Sequence, residues 1–132
     1  VSGGSQIGGF LGRAGDDCFY NCYSSTSVSG SGSYVGGFAG YKYGNDIVKE
    51  VYWDTEASGQ TSSAIGVGKT TAQMKDIDTF SGWDIVLKSQ HDGQEDTAVW
   101  FIDDGSDYPR LWYEWTGGGT QRKKQLNIIL LD

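Results

Sequence analysis

A six-residue pattern that occurs twice constrains the fold of this chain more than any other feature of its sequence. Residues 7–12 read IGGFLG, and residues 35–40 read VGGFAG, so an aliphatic-Gly-Gly-Phe-aliphatic-Gly pattern returns after 28 positions. Farther along, CYSST at 22–26 aligns with VYWDT at 51–55 after 29 positions, which places one inserted residue between the two landmarks. The chain therefore contains two copies of one structural unit.

The length of this repeat predicts a β-solenoid, in which successive coils stack and bury one continuous core. Repeats of 20 to 50 residues are typical of stacked architectures, and short strands with glycine turns and no helical periodicity favour β coils. Phe10 is expected to stack on Phe38 one coil away, because paired glycines permit close approach of neighbouring backbones. An ordinary glycine-rich β-sandwich is the alternative.

Beyond the hexapeptide, the first copy continues as NCYSSTSVSG over residues 21–30, and this combination resembles the GLUG repeat of bacterial and archaeal surface proteins, adhesin-like proteins and some secreted proteases. Later motifs are similar to the segment that commonly closes such arrays: YWDTE at 52–56, TTAQMK at 70–75, GWD at 82–84, VWFID at 99–103 and YPRL at 108–111. The resemblance covers about residues 5–113. It implies a right-handed β-solenoid with a C-terminal cap, outside the cell and without catalytic residues.

Three segments follow from this interpretation. Residues 1–66 are predicted to form two coils, residues 67–116 a capping segment, and residues 117–132 a glycine hinge with an apolar tail. A capping box from Thr70 to Gln73 predicts one short helix at 71–77 in the cap. The N-terminal coil lacks such a cap, so we expect either that preceding coils have been removed or that another molecule covers it. The tail is expected to dock as a strand on this chain or on a neighbour, or to begin a further module.

Within the cap, the apolar alternation of Trp83, Ile85 and Leu87 predicts a strand with one apolar face. The run at 99–102 predicts a second strand that is buried on both faces.

Charge and hydropathy exclude several classes of partner. The formal net charge of −7 opposes binding to phosphate backbones and anionic lipids, so nucleic acid and membrane surfaces are poor partners, whereas calcium and polar glycans fit better. No run approaches the ~20 apolar residues of a membrane span, and the N-terminus lacks the pattern of a signal peptide. We therefore expect a processed product or a fragment of a longer protein.

One acidic cluster is a candidate cation site. Asp103, Asp104 and Asp107 surround a glycine turn, and three carboxylates with added carbonyl oxygens are sufficient to hold Ca²⁺. The cluster lacks the twelve-residue EF-hand pattern, so an ordinary acidic surface turn is the favoured alternative. The pairs at 16–17 and 45–46 follow glycine-rich segments at equivalent places in the two repeats, which is typical of turn residues.

The two cysteines leave three alternatives open. Cys18 and Cys22 would lie roughly 13 Å apart in a straight strand, beyond disulfide reach. One alternative is that Cys22 serves as a small apolar residue inside the coil, where the next coil places Val51 or a neighbour. A disulfide bent around residues 19–21 or an intermolecular disulfide is also compatible with the sequence.

The remaining candidate residues are a histidine and two tyrosines. His91 stands among polar residues, which indicates a solvated loop, and no nucleophile elbow or paired-carboxylate motif accompanies it. The sequence therefore predicts no enzyme and no resident cofactor. Tyr41 and Tyr43 flank Lys42 in a glycine-rich segment and are the candidate exposed aromatics for contact with a glycan.

These observations favour a non-catalytic structural or adhesive module of a prokaryotic surface protein, located outside the cell or on its surface. Its expected partners are neighbouring repeats of a longer chain, further copies of itself, or a cell-surface glycan. A self-assembling fibre subunit, joined head-to-tail through the open coil and the tail, is one alternative. A glycan-binding accessory domain of a secreted enzyme is another.

Overall fold

Short parallel strands make up most of the described chain, which is residues 1–117 of a computed structural model. Two compact units divide at Trp83, with Val1–Trp83 forming unit 1 and the chain from Asp84 forming unit 2. The predicted hinge and tail fall outside the described residues from position 118 onward. The helices of the described part are too short and too polar to cross a membrane.

Unit 1 contains two sets of four strands followed by a short helical segment. The first repeat forms β1 (Ser2–Gly3), β2 (Ile7–Gly8), β3 (Leu11–Ala14) and β4 (Cys18–Ser24). The second repeat forms β5 (Ser29–Gly30), β6 (Val35–Gly36), β7 (Ala39–Lys42) and β8 (Ile47–Asp54). The chain then forms α1 (Thr55–Ser58), β9 (Val67–Lys69), α2 (Thr71–Met74) and a 3-10 helix (Ile77–Phe80).

The register between the two repeats follows the sequence offset. Strands β1 to β4 pair in parallel with β5 to β8, and Ile7 lies opposite Val35 while Cys22 lies opposite Val51. These partners are 28 and 29 positions apart, the same spacings at which the motifs recur. The inserted residue falls between β3 and β4, so equivalent side chains still meet across the strands.

The predicted β-solenoid with a one-helix cap is nevertheless wrong. The strands of residues 1–117 lie in separate sheets of only two or three strands, none of them closed or solenoid-like, and two short α-helices are present. Most of these strands are only two to four residues long, because turns and glycines interrupt them. Asn21 and Glu50 also adopt positive φ angles of 52° and 55° inside β4 and β8, which breaks the ladder at equivalent positions.

The core of unit 1 centres on Phe38, which is fully buried. Phe10 stacks on it with ring centroids 4.6 Å apart and planes 10° apart, as predicted from the repeat, and Phe19 meets it edge-on at 6.0 Å. Gly37 leaves the space that the Trp53 ring fills, since a Cβ at this position would overlap the ring. The same apolar cluster includes Ala14, Ala39, Val51 and Ile65.

The segment that follows α1 covers the far side of the second repeat. Gly37 N–H donates to Ser62 O at 3.0 Å, and Ala64 N–H donates to Ala39 O at 3.0 Å. The Ser63 hydroxyl accepts from Phe38 N–H at 3.0 Å and donates to Ile65 O at 2.7 Å. Strand β9 adds in parallel to β8.

The predicted capping box begins α2. Thr70 Oγ1 accepts from Gln73 N–H at 3.2 Å, and Gln73 Oε1 accepts from Thr70 N–H at 3.0 Å. The helix ends at Met74 rather than at the predicted 77, because Asp76 begins a separate 3-10 helix by accepting from Asp78 N–H at 2.9 Å.

Aromatic rings from this 3-10 segment cover part of the outer face of β8. Tyr52 packs edge-on against Phe80 at 5.6 Å, and the indole of Trp83 donates to Glu50 O at 3.2 Å. Burial raises the pKa of Tyr52 to about 12, and its 2.6 Å hydrogen bond to the Glu50 carboxylate and that negative charge act in the same direction.

Unit 2 is a small mixed sheet with its own core. Strand β10 (Ile85–Leu87) pairs in parallel with β11 (Trp100–Ile102), which pairs in antiparallel with β12 (Arg110–Leu111). Two 3-10 helices (Lys88–Gln90 and Trp112–Glu114) follow β10 and β12. Both predicted strands are therefore present, although each begins one or two residues later than predicted.

Replacing Phe38 by alanine should lower the free energy of unfolding by about 3–5 kcal/mol, because the ring is fully buried and its loss leaves a cavity. Phe10 is the matched control, since the same ring at the equivalent repeat position is 54% exposed and its loss should cost about 1 kcal/mol. Urea denaturation of both variants gives the comparison. Equal losses would contradict the placement of the two rings.

Candidate functional site

The outer edge of the first repeat is an interaction surface that the strand pairing leaves open. Within residues 1–117, each of β1 to β4 is the terminal strand of its sheet and pairs on one side only, with the second repeat. The second repeat makes further bonds on its other side, since β8 pairs with β9, Gly37 N–H donates to Ser62 O, and Ala64 N–H donates to Ala39 O. Unpaired strand edges offer backbone donors and acceptors to another segment.

An exposed aromatic ring lies at this edge. One face of Phe10 rests on Phe38, and the side chain is more than half exposed. Phe38, at the equivalent position of the second repeat, is fully buried. The exposed face of Phe10 is therefore a surface on which the aromatic ring of a further repeat could stack.

Acidic turns link the two repeats beside the same strands. Asp16 Oδ1 accepts from Asn45 N–H at 3.0 Å, and Asp46 Oδ1 accepts from Asp17 N–H at 2.9 Å. Lys42 lies 3.9 Å from Asp46. These residues lie between β3 and β4 and between β7 and β8, as predicted for turn residues, and their carboxylates bond to the backbone of the neighbouring repeat.

The two tyrosines predicted to be exposed differ in their surroundings. Tyr43 is 56% exposed, and the Arg13 guanidinium lies 4.2 Å from its ring centroid. Tyr41 is partly buried and meets the edge of Tyr34 at 4.7 Å. Each ring thus already has a neighbour on the protein surface.

The three aspartates of the calcium candidate are not brought into one metal site. Asp103 lies 3.9 Å from Lys88, whereas Asp107 forms a 3.0 Å ion pair with Arg110, and Asp104 follows in the turn between them. No group of three or more His, Cys, Asp or Glu residues in the described ranges is arranged to hold a metal ion.

Both cysteines are free thiols on β4. Cys18 is exposed, whereas Cys22 lies opposite Val51, packs against the apolar cluster of unit 1 and donates to Tyr20 O at 3.2 Å. Burial raises the pKa of the Cys22 thiol, and the backbone hydrogen bond opposes this only in part. The positions fit the interpretation of Cys22 as a small apolar residue.

His91 is buried rather than solvated, contrary to the prediction from its polar neighbours. Gly93 N–H donates to Nδ1 at 2.8 Å, so Nε2 carries the proton and donates to Ala98 O at 2.9 Å. The ring also packs against Phe101 at 5.3 Å. Both partners are backbone groups that only the folded loop provides, so no local pattern in the sequence indicates this burial.

No protein-family model matches the chain, and no solved structure matches it. It is 34% identical over 89 residues to a protein named as a Gly-rich membrane protein from Evansella cellulosilytica. The match covers 63% of this chain but only 10% of that protein. The resemblance to GLUG repeats stays a prediction.

Two thiols of different reactivity should be found by a thiol reagent at pH 8. Cys18 should react at the rate of an exposed cysteine, whereas Cys22 should react more slowly, because its partial burial and raised pKa reduce the thiolate fraction. The slow rate should rise with pH, and both rates should become equal in denaturant. Mass spectrometry assigns each adduct, and absence of reaction in denaturant without reductant would reveal a disulfide instead.

Proposed function

We propose that this chain is a non-catalytic, extracellular structural and adhesive module of a prokaryotic surface protein, whose partners are neighbouring repeats of a longer polypeptide. One observation carries the proposal. The first and second repeats pair strand for strand, while the outer edge of the first repeat stays unpaired within the described residues.

The contacts between the two repeats define what a further repeat must supply. It needs a phenylalanine to stack on Phe10, as Phe10 stacks on Phe38. It also needs glycines where strands approach closely, since a Cβ at Gly8 would lie 2.5 Å from Phe38 O. A segment with the pattern of residues 7–12 meets both requirements.

The buried ionisable side chains support a structural role over a catalytic one. Asp54 is fully buried and accepts from Glu56 N–H and Ala57 N–H, each at 2.9 Å, and from the Thr71 hydroxyl at 2.8 Å. It thereby joins the start of α1 to the start of α2. His91 is likewise engaged through both ring nitrogens.

A location at the cell surface is supported by charge and by the relative from Evansella cellulosilytica. The net charge of −7 disfavours nucleic acid as a partner. The relative is named as a membrane protein, and this chain matches a tenth of its length. We infer that the chain works as one part of such a long surface protein.

A head-to-tail fibre receives less support than pairing with neighbouring repeats. Such a fibre needs a second open edge or the predicted tail. Segment 58–69 already bonds to the far side of the second repeat, and the tail lies outside the described residues.

Duplicating residues 2–28 in tandem tests the proposal, because the new junction joins Val28 to a serine as the native sequence joins Val28 to Ser29. The added copy should pair with the open edge, so its amides should gain protection from hydrogen exchange and the free energy of unfolding should rise. A chain with the added segment in scrambled order is the control. Equal exchange and equal stability in the two chains would refute the proposed pairing.

A further inference from the structure

We propose that unit 2 carries a binding cleft for a neutral polysaccharide, lined by Gln94, Glu95, Asp96 and Trp112. The cleft is open and has a volume of about 500 Å³. It lies wholly within unit 2, so the proposal goes beyond the structural role and is independent of the strand edge in unit 1.

Two buried side chains hold the loop that supplies the polar lining. Asp92 Oδ1 accepts from Gln94 N–H at 3.1 Å and from the hydroxyl of Thr97, which closes the turn that carries Glu95 and Asp96. His91 bonds to both ends of the same loop, at Gly93 and Ala98. A loop fixed in this way loses little conformational freedom when a ligand binds.

The aromatic wall is fixed by backbone contacts. Trp112 N–H donates to Val99 O at 2.9 Å, and Trp115 N–H donates to Trp112 O at 3.3 Å. The Trp115 ring lies against Gly93, where a Cβ would come within 2.8 Å of it. These contacts hold the backbone of Trp112 next to Val99 and the ring of Trp115 against the loop at Gly93.

The lining matches the chemistry of a sugar ring. An indole offers a flat apolar surface for the C–H face of a pyranose, and carboxylate and amide oxygens accept hydrogen bonds from its hydroxyls. Among residues 1–117, the lining contains Glu95 and Asp96 and no basic side chain, and the two carboxylates disfavour uronic acids, phosphorylated sugars and other anionic polymers.

The tyrosines chosen from the sequence are less suitable. Arg13 lies over the ring of Tyr43, and Tyr34 meets Tyr41, so each of these rings already makes a contact within unit 1. Trp112 also has an aromatic neighbour, since the 66% exposed Tyr113 meets it edge-on at 5.9 Å, but Trp112 lines an open cleft together with Gln94, Glu95 and Asp96.

Affinity electrophoresis of the full chain through gels that contain β-glucan, mannan or dextran tests the cleft. At least one of these polymers should retard the chain, and Trp112→Ala should weaken the binding at least about tenfold. Tyr43→Ala is the matched control and should bind like the unchanged chain. Thermal unfolding of each variant checks the fold.

A second variant addresses the ligand class and does not depend on the aromatic wall. Glu95→Gln combined with Asp96→Asn changes only exposed side chains and keeps hydrogen-bonding oxygens, so sugar binding should persist within a few fold. Tetramethylammonium is the cationic probe.

Three results would overturn the proposal: no retardation by any of the polymers, equal retardation of the Trp112→Ala variant, or binding of only the cation with its loss in the amide variant. None of these results affects the outcome of duplicating residues 2–28, so the proposed function is tested independently of the cleft.

Discussion

Close approach of successive backbone layers at the paired glycines is the constraint on which unit 1 depends. A Cβ at Gly36 would overlap the carbonyl of Ala39 and come within 2.9 Å of the Ser63 Cα, and a Cβ at Gly37 would overlap the Trp53 ring. Only glycine allows the layers to come this close. The aromatic rings can then bury their faces against one another, and the strands can pair in parallel at the spacing of the repeat.

This constraint explains why the two sides of the repeat pair differ. On the far side of the second repeat, Ser63 fits beside Gly36 and bonds to Phe38 and Ala39, which ends the series of repeat layers within unit 1. On the near side, Phe10 and β1 to β4 present the same features without a partner in the described residues. Unit 2 is built differently, since two buried polar side chains there hold a loop beside an aromatic ring. The proposed pairing with a further repeat thus involves unit 1, and the proposed sugar binding involves unit 2.

Features that depend on a local sequence pattern were predicted correctly, whereas features that depend on partners distant in the sequence were not. The spacing of the two hexapeptides predicted the register and the stacking of Phe10 on Phe38, and the capping box predicted the start of α2. The continuous β-solenoid was wrong, because the pattern does not reveal that strands of two to four residues fall into separate small sheets. The solvated loop at His91 was wrong because its partners are backbone groups placed by the fold.

Parallel pairing of the two repeats in the register of their sequence offset is the central claim, and nuclear Overhauser contacts in the isotope-labelled chain test it most directly. Contacts should join the backbones of Ile7 and Val35, the backbones of Cys22 and Val51, and the rings of Phe10 and Phe38. Contacts that run in the antiparallel sense, or that shift by even one residue, would contradict it, because a one-residue shift moves each side chain to the opposite face.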